Sequence, residues 1–138
     1  MSQTDELFRE IEKGRIEEAH LFSNFEKYYR KKDTVKASEF IWGSIAKIAY
    51  LIGLLFDQKL GRHGQLVAFL KNLARQQSRT EIVDWINAAE SFHSNFYHNW
   101  MEMEVFEEYI LKVVSLRIWL LEILERKLDE AYPIRTSP

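Results

Sequence analysis

From Met1 to Tyr132 the chain contains no proline; both prolines fall in the last six residues, at 133 and 138. Proline is the residue that most firmly ends a helix, and its absence leaves the backbone free to continue helical over long distances. Only five glycines accompany it, so the frequent tight turns of a β-rich fold lack their usual residues. Apolar side chains recur instead at helical spacing along nearly the whole length, with no internal repeat and no low-complexity run. At 138 residues, 46% hydrophobic and 14% aromatic, the chain has core material for one domain and no room for a second. Disorder is excluded on the same grounds.

The spacing predicts five helices. The first runs from about Asp5 to Lys31, with Leu7, Phe8, Ile11, Phe22, Phe25 and Tyr29 on one arc. Asp33 caps a second that reaches about Asp57. There Gly43, Ala46, Ala49 and Gly53 form a small-residue stripe where a neighbour can approach closely. Gly61 and Gly64 bracket a break before a third helix, about Gln65 to Gln76. Ser78-Arg79-Thr80-Glu81 has the form of a capping box and opens a fourth, ending near Tyr97–Asn99. A fifth covers about Glu102 to Ala131, before Pro133. The expected fold is all-α, a single up-down bundle of four to five helices over residues 1–138, with its core at about 5–131 and a flexible tail at 132–138.

Zero cysteines remove disulfides, thiolate metal sites and thiol nucleophiles, and fit a reducing interior. The acidic, polar N-terminus is not a secretory signal. Phe40 to Phe56 is almost wholly apolar, with Lys47 its only charge. At ~1.5 Å per residue this run reaches ~25 Å, short of the ~30 Å hydrocarbon layer, and Lys47 would lie near the bilayer centre. A core helix wrapped by neighbours is the expected reading, in a cytoplasmic protein with no membrane partner.

Charge nearly cancels, at −2, but its distribution is uneven. Residues 58–80 carry Lys59, Arg62, Lys71, Arg75 and Arg79 and no acid, whereas residues 81–130 are strongly acidic. Arg62, Lys71, Arg75 and Arg79 can contact a phosphate backbone. The plainer expectation is a solvated face paired within the chain to the acidic fifth helix.

Catalytic motifs are sparse. Gly61-Arg62-His63-Gly64 lacks the Lys-Ser/Thr and the preceding strand of a phosphate loop. Glu17/His20 and Glu90/His93 have the Glu-x-x-His spacing of helical di-metal sites. Glu17 and His20 fall outside the apolar arc of their helix, however, so no metal and no cofactor is expected. The densest polar cluster lies between Glu90 and Trp100. On its helical wheel His93 falls within the apolar arc, while Ser91, Ser94, Asn95 and His98 fall on the opposite side. His93 reads most simply as a buried neutral imidazole, and His98 as a solvent-facing or partner-facing one.

Two passages carry a family likeness. Lys36-Ala37-Ser38-Glu39-Phe40-Ile41-Trp42-Gly43-Ser44-Ile45-Ala46 resembles a helix start, and Ala88-Ala89-Glu90-Ser91-Phe92-His93-Ser94-Asn95-Phe96-Tyr97 a second segment, of the archaeal PaREP-type family. That family is grouped here with the HEPN-like all-helical proteins (higher eukaryote and prokaryote nucleotide-binding). The resemblance implies a bundle, often homodimeric. Active HEPN ribonucleases carry an Arg-x4–6-His motif at the dimer interface and cut RNA without metal, the histidine exchanging protons and the arginine stabilising the phosphorane. Here His93 stands at the arginine position, His98 at the histidine, and Trp100 two residues beyond. A neutral imidazole does not supply a fixed planar cation.

The resemblance therefore implies a non-catalytic HEPN-like module that binds nucleotide, RNA or a protein partner, through His93, Asn95, Tyr97, His98 and the basic segment. One alternative is a metal-independent endoribonuclease using His98 with His93. Another is a protein that serves only dimerisation. A nucleotidyltransferase is the partner protein the reading would favour.

Overall fold

The computed structural model describes residues 3–133, and these hold five helices and no strand: α1 (Gln3–Arg30), α2 (Thr34–Leu55), α3 (His63–Gln76), α4 (Thr80–His98) and α5 (Met103–Ala131). Residues 134–138 of the expected tail lie outside the described residues. The chain doubles back at each short link. Tyr28 stacks on Phe40, Glu18 meets Ser44, and Gly14 meets Leu51, so α1 and α2 run antiparallel. Phe92 packs on Phe106 and Asp84 pairs with Lys112, so α4 and α5 do the same. The shorter α3 lies against α2 and α4.

α2 is the hub. It packs against the other four helices, and Ala37, Ile41, Ile45, Ile48, Ala49 and Ile52 are wholly buried. Burying each large aliphatic side chain is worth about 1.5–3 kcal/mol, which explains why the apolar run sits here. By length and composition α2 could cross a membrane, and half of its apolar window is buried inside the bundle. Lys47 escapes at the edge, its ammonium 2.9 Å from the Glu17 carboxylate on α1. The small-residue stripe serves close packing at Gly53, where an added Cβ would come within 2.7 Å of Leu60.

One polar node crosses the core. Glu18 on α1 is 3% exposed and receives both Nε and Nη2 of Arg117 on α5, at 2.6 and 3.0 Å. Ser44 on α2 donates its hydroxyl to the same carboxylate at 2.6 Å, and the Arg117 guanidinium lies 3.8 Å over the Phe22 ring. A fork-to-fork arginine–carboxylate pair with an added hydroxyl satisfies the buried charges.

Two expected boundaries are corrected. α3 starts at His63, two residues before Gln65, where the side chain of Gln65 accepts the Arg62 N–H at 3.1 Å. The capping box at Ser78 does not form. Ser78 has a left-handed φ of 54°, and its N–H bonds Arg75 while Arg79 N–H bonds Ala74, closing α3. The residue that ends one helix this way has no extended backbone with which to begin the next. Arg79 takes the cap position of α4 instead, its guanidinium on the Glu81 carboxylate. Asp33 does cap α2, accepting the Lys36 N–H at 3.1 Å.

Candidate functional site

Where α2, α3 and α4 converge, four rings meet. Trp42 projects from α2, His63 is the first residue of α3, and His93 and Tyr97 stand one turn apart on α4. The His63 and His93 imidazoles stack 4.6 Å apart at 17°. Trp42 leans on both, at 4.9 and 5.0 Å, and Tyr97 meets the edge of His93 at 5.1 Å. Loss of hydration holds the His93 pKa below its ordinary value of 6.5; the adjacent His63 lowers it further, and Glu90 opposes the shift. His93 is therefore mostly neutral at pH 7, a ring suited to stacking rather than to carrying charge.

Beside this stack opens a groove of about 370 Å³ between α3 and α4. Val67 and Ala68 floor it, and His63, Lys71, Arg75 and Glu90 surround it. Lys71 and Arg75 share a face because they lie one helical turn apart. Lys71 Nζ approaches Glu90 Oε1 to 3.9 Å, an ion pair too long for a hydrogen bond. That oxygen is shut away from solvent and receives no hydrogen bond. The groove thus offers Arg75, Lys71 facing the Glu90 carboxylate, and the His63 end of the ring stack.

The structure distributes the sequence-expected residues unevenly. Lys71 and Arg75 line the groove, while His93 reaches it only through His63, on which it stacks, and Tyr97 is the 65%-exposed rim of that ring stack. His98 is exposed at the end of α4, and His93 meets His63 rather than His98. Among the described residues no hydrogen bond, ion pair or ring contact brings an arginine to His98. Arg62 is exposed at the start of α3. Arg79 turns away to Glu81 and a surface hollow beside Trp85 and Trp119.

Asn95 corrects the wheel. Expected on the polar side, it is fully buried, because α4 ends three residues later and the chain folds back over it. Its Oδ1 accepts the N–H groups of Trp100 and Met101, at 2.9 and 2.7 Å, and its Nδ2 donates to Ser38 Oγ at 2.9 Å. Every polar atom of its amide is engaged, so Asn95 shapes the α4–α5 turn and is closed to a ligand.

The expected pairing of the basic segment with the fifth helix is also corrected. Lys71 and Arg79 pair with Glu90 and Glu81 of α4 instead.

No cluster of three or more metal-ligating side chains occurs among the described residues. Sequence reasoning missed His63 and Trp42, although both lay in view. His63 stood within the stretch rejected as a phosphate loop, and Trp42 within the first family-like passage. It also missed Glu18 and Arg117. The signal for Glu18 was available, since it lies on the apolar arc that holds Ile11 and Phe25.

Hub helix, enclosing hairpins and lateral groove define the class, a helical-bundle protein organised around one apolar core helix. Over residues 15–117 the chain matches the model of the archaeal PaREP1/PaREP8 family, and it belongs to that family. No curated protein and no solved structure matches it. Both family-like passages fall inside the match, and they meet in space through the Asn95–Ser38 hydrogen bond.

Proposed function

We propose that the protein is a non-catalytic, HEPN-like binding module whose α3–α4 groove takes a nucleotide or an RNA strand. The observation that carries this reading is the stack of Trp42, His63, His93 and Tyr97 at one end of a groove that Lys71 and Arg75 line further along α3. Flat rings hold bases and cations hold phosphates, and single-stranded nucleic acid is bound by that combination. Absence of catalysis is the reading the ring geometry favours, because neutral His93 stacks on His63 instead of supplying a fixed cation beside His98. The module works in the cytoplasm. A second copy would cover the exposed Ile16, Leu111 and Ile118, and a nucleotidyltransferase is a fitting protein partner.

Titration of uridine monophosphate against the indole fluorescence tests this. Binding should quench Trp42, weaken as salt rises, and fall at least tenfold in the Lys71→Glu/Arg75→Glu double variant. Arg79→Glu should bind as the parent does. Equal binding by the double variant would remove the groove from the reading. RNA cleavage that persists in chelator and disappears in His98→Ala would replace it with the endoribonuclease.

A further inference from the structure

A second hollow lies on the other flank of α3. Its volume is about 380 Å³, within the range of small-molecule sites. Phe56 and Phe69 form its apolar wall, their rings edge to face at 5.7 Å, and Phe56 is 38% exposed. The carboxamides of Gln58, Asn72 and Gln76 border the rings and Lys59 stands at the margin, with no acidic side chain in the lining. Each carboxamide both donates and accepts hydrogen bonds. A planar heterocycle with adjacent donors and acceptors on its edge matches such a border, its face lying on one phenyl ring and its rim against the other.

The two hollows are not separate places on the molecule. Ala68 and Asn72 line both, so a low ridge the breadth of one helix, about 10–12 Å, is all that divides them. On one side stand Lys71, Arg75 and the Glu90 carboxylate with His63 of the imidazole stack, and on the other the phenyl and amide pocket. Residues 58–80, which build α3 and the loop before it, contain no acid to repel a polyanion. A sugar would meet the rings of the second pocket but supply no counter-charge to Arg75, since Lys71 alone faces Glu90. A polynucleotide engages both flanks at once.

We infer that α3 is a saddle crossed by a single-stranded oligonucleotide of at least two nucleotides, with a phosphate at Lys71 and Arg75 and a neighbouring base against Phe56 and Phe69. This rests on the nucleotide-binding reading above and specifies its ligand as a strand rather than a mononucleotide. Two linked subsites raise affinity without any new contact, because the second binding step becomes intramolecular.

The test compares uridine monophosphate, hexauridylate and hexathymidylate on the full chain and on the Gln58→Ala/Gln76→Ala variant. Both side chains are exposed, so the substitutions spare the core. Hexauridylate should bind at least tenfold more tightly than the monophosphate. The variant should lose most of that gain while binding the monophosphate as the parent does. Hexathymidylate separates strand chemistry from ribose chemistry: equal binding means stacking and phosphate suffice, and weaker binding adds a contact to the 2′-hydroxyl. Monophosphate binding with no gain from length overturns the saddle alone, as does a gain that survives in the variant. No binding by any of the three overturns the nucleotide reading and the saddle with it.

Discussion

At the scale of single residues, a charge in the core commits more free energy than any surface pair. Glu18 is enclosed by Arg117, Ser44 and the Phe22 ring that carries the guanidinium. Its removal leaves Arg117, itself only 20% exposed, without a counter-charge. Glu18→Ala should destabilise the fold by about 3 kcal/mol, read as a lower denaturation midpoint at unchanged slope. An unchanged midpoint would mean the pair is energetically idle. His93 makes a second residue-scale statement. Its folded pKa lies below 6.5 because burial and His63 disfavour the imidazolium. Just below pH 6.5 the unfolded chain therefore binds more protons than the folded one, so stability increases with pH across that window and is lost as acid protonates the ring. Above 6.5 this contribution is complete. The slope should shrink in His93→Gln, followed by thermal melts between pH 5 and 7.5; an unaltered slope would assign it to other groups. The apolar arc made His93 legible as an inward-facing side chain, and it held an unread signal for Glu18. Their partners Arg117 and His63 were not legible, because nothing local to α1 or α4 encodes which remote side chain arrives.

At the scale of elements, the four links share one device. Lys32, Asp57, Ser78 and Asn99 all have positive φ, and none of them is glycine. At the first three links paired backbone hydrogen bonds close the preceding helix, as when Lys32 N–H reaches Tyr29 and Asp33 N–H reaches Tyr28. A side chain in the left-handed region costs roughly 1–2 kcal/mol, and glycine avoids it. Lys32→Gly, at an exposed position with no role in the groove, should raise stability by about 0.5–1 kcal/mol after the greater unfolded-state freedom of glycine is subtracted. A fall in melting temperature would show that Lys32 makes a contact worth more than its strain. The scarcity of glycine announced long helices correctly. The expected ends near Lys31, Asp57, Gln76 and Asn99 lie within two residues of those observed; what residue types left open was which residue of each link takes the left-handed conformation. The misplaced capping box at Ser78 has this origin.

At the scale of the whole molecule, stability is concentrated in α2 and thin in α3. Of α3 only Leu70, Leu73 and Ala74 are buried, and it leans on two neighbours, whereas α2 is enclosed by four. Hydrogen exchange should therefore be slowest in the middle of α2 and much faster in α3, which opens without unfolding the rest. A saturating oligonucleotide should slow exchange in α3 before any other element. Uniform exchange through both helices would show a single cooperative unit. The element carrying His63, Lys71 and Arg75 is thus one the core constrains lightly, a common arrangement for surfaces that close on a ligand.

Helical spacing, the missing prolines and the apolar run determined on their own that the chain is an all-α bundle with α2 at its centre. Those are statements about periodicity and burial, and periodicity is written in adjacent residues. The tertiary structure alone decided that Asn95 is spent on the α4–α5 turn, that α3 pairs with α4 rather than α5, and that His93 finds His63. These depend on how far each helix runs before it stops and on which face it turns to a distant neighbour, and neither quantity is stored in any short stretch of the chain.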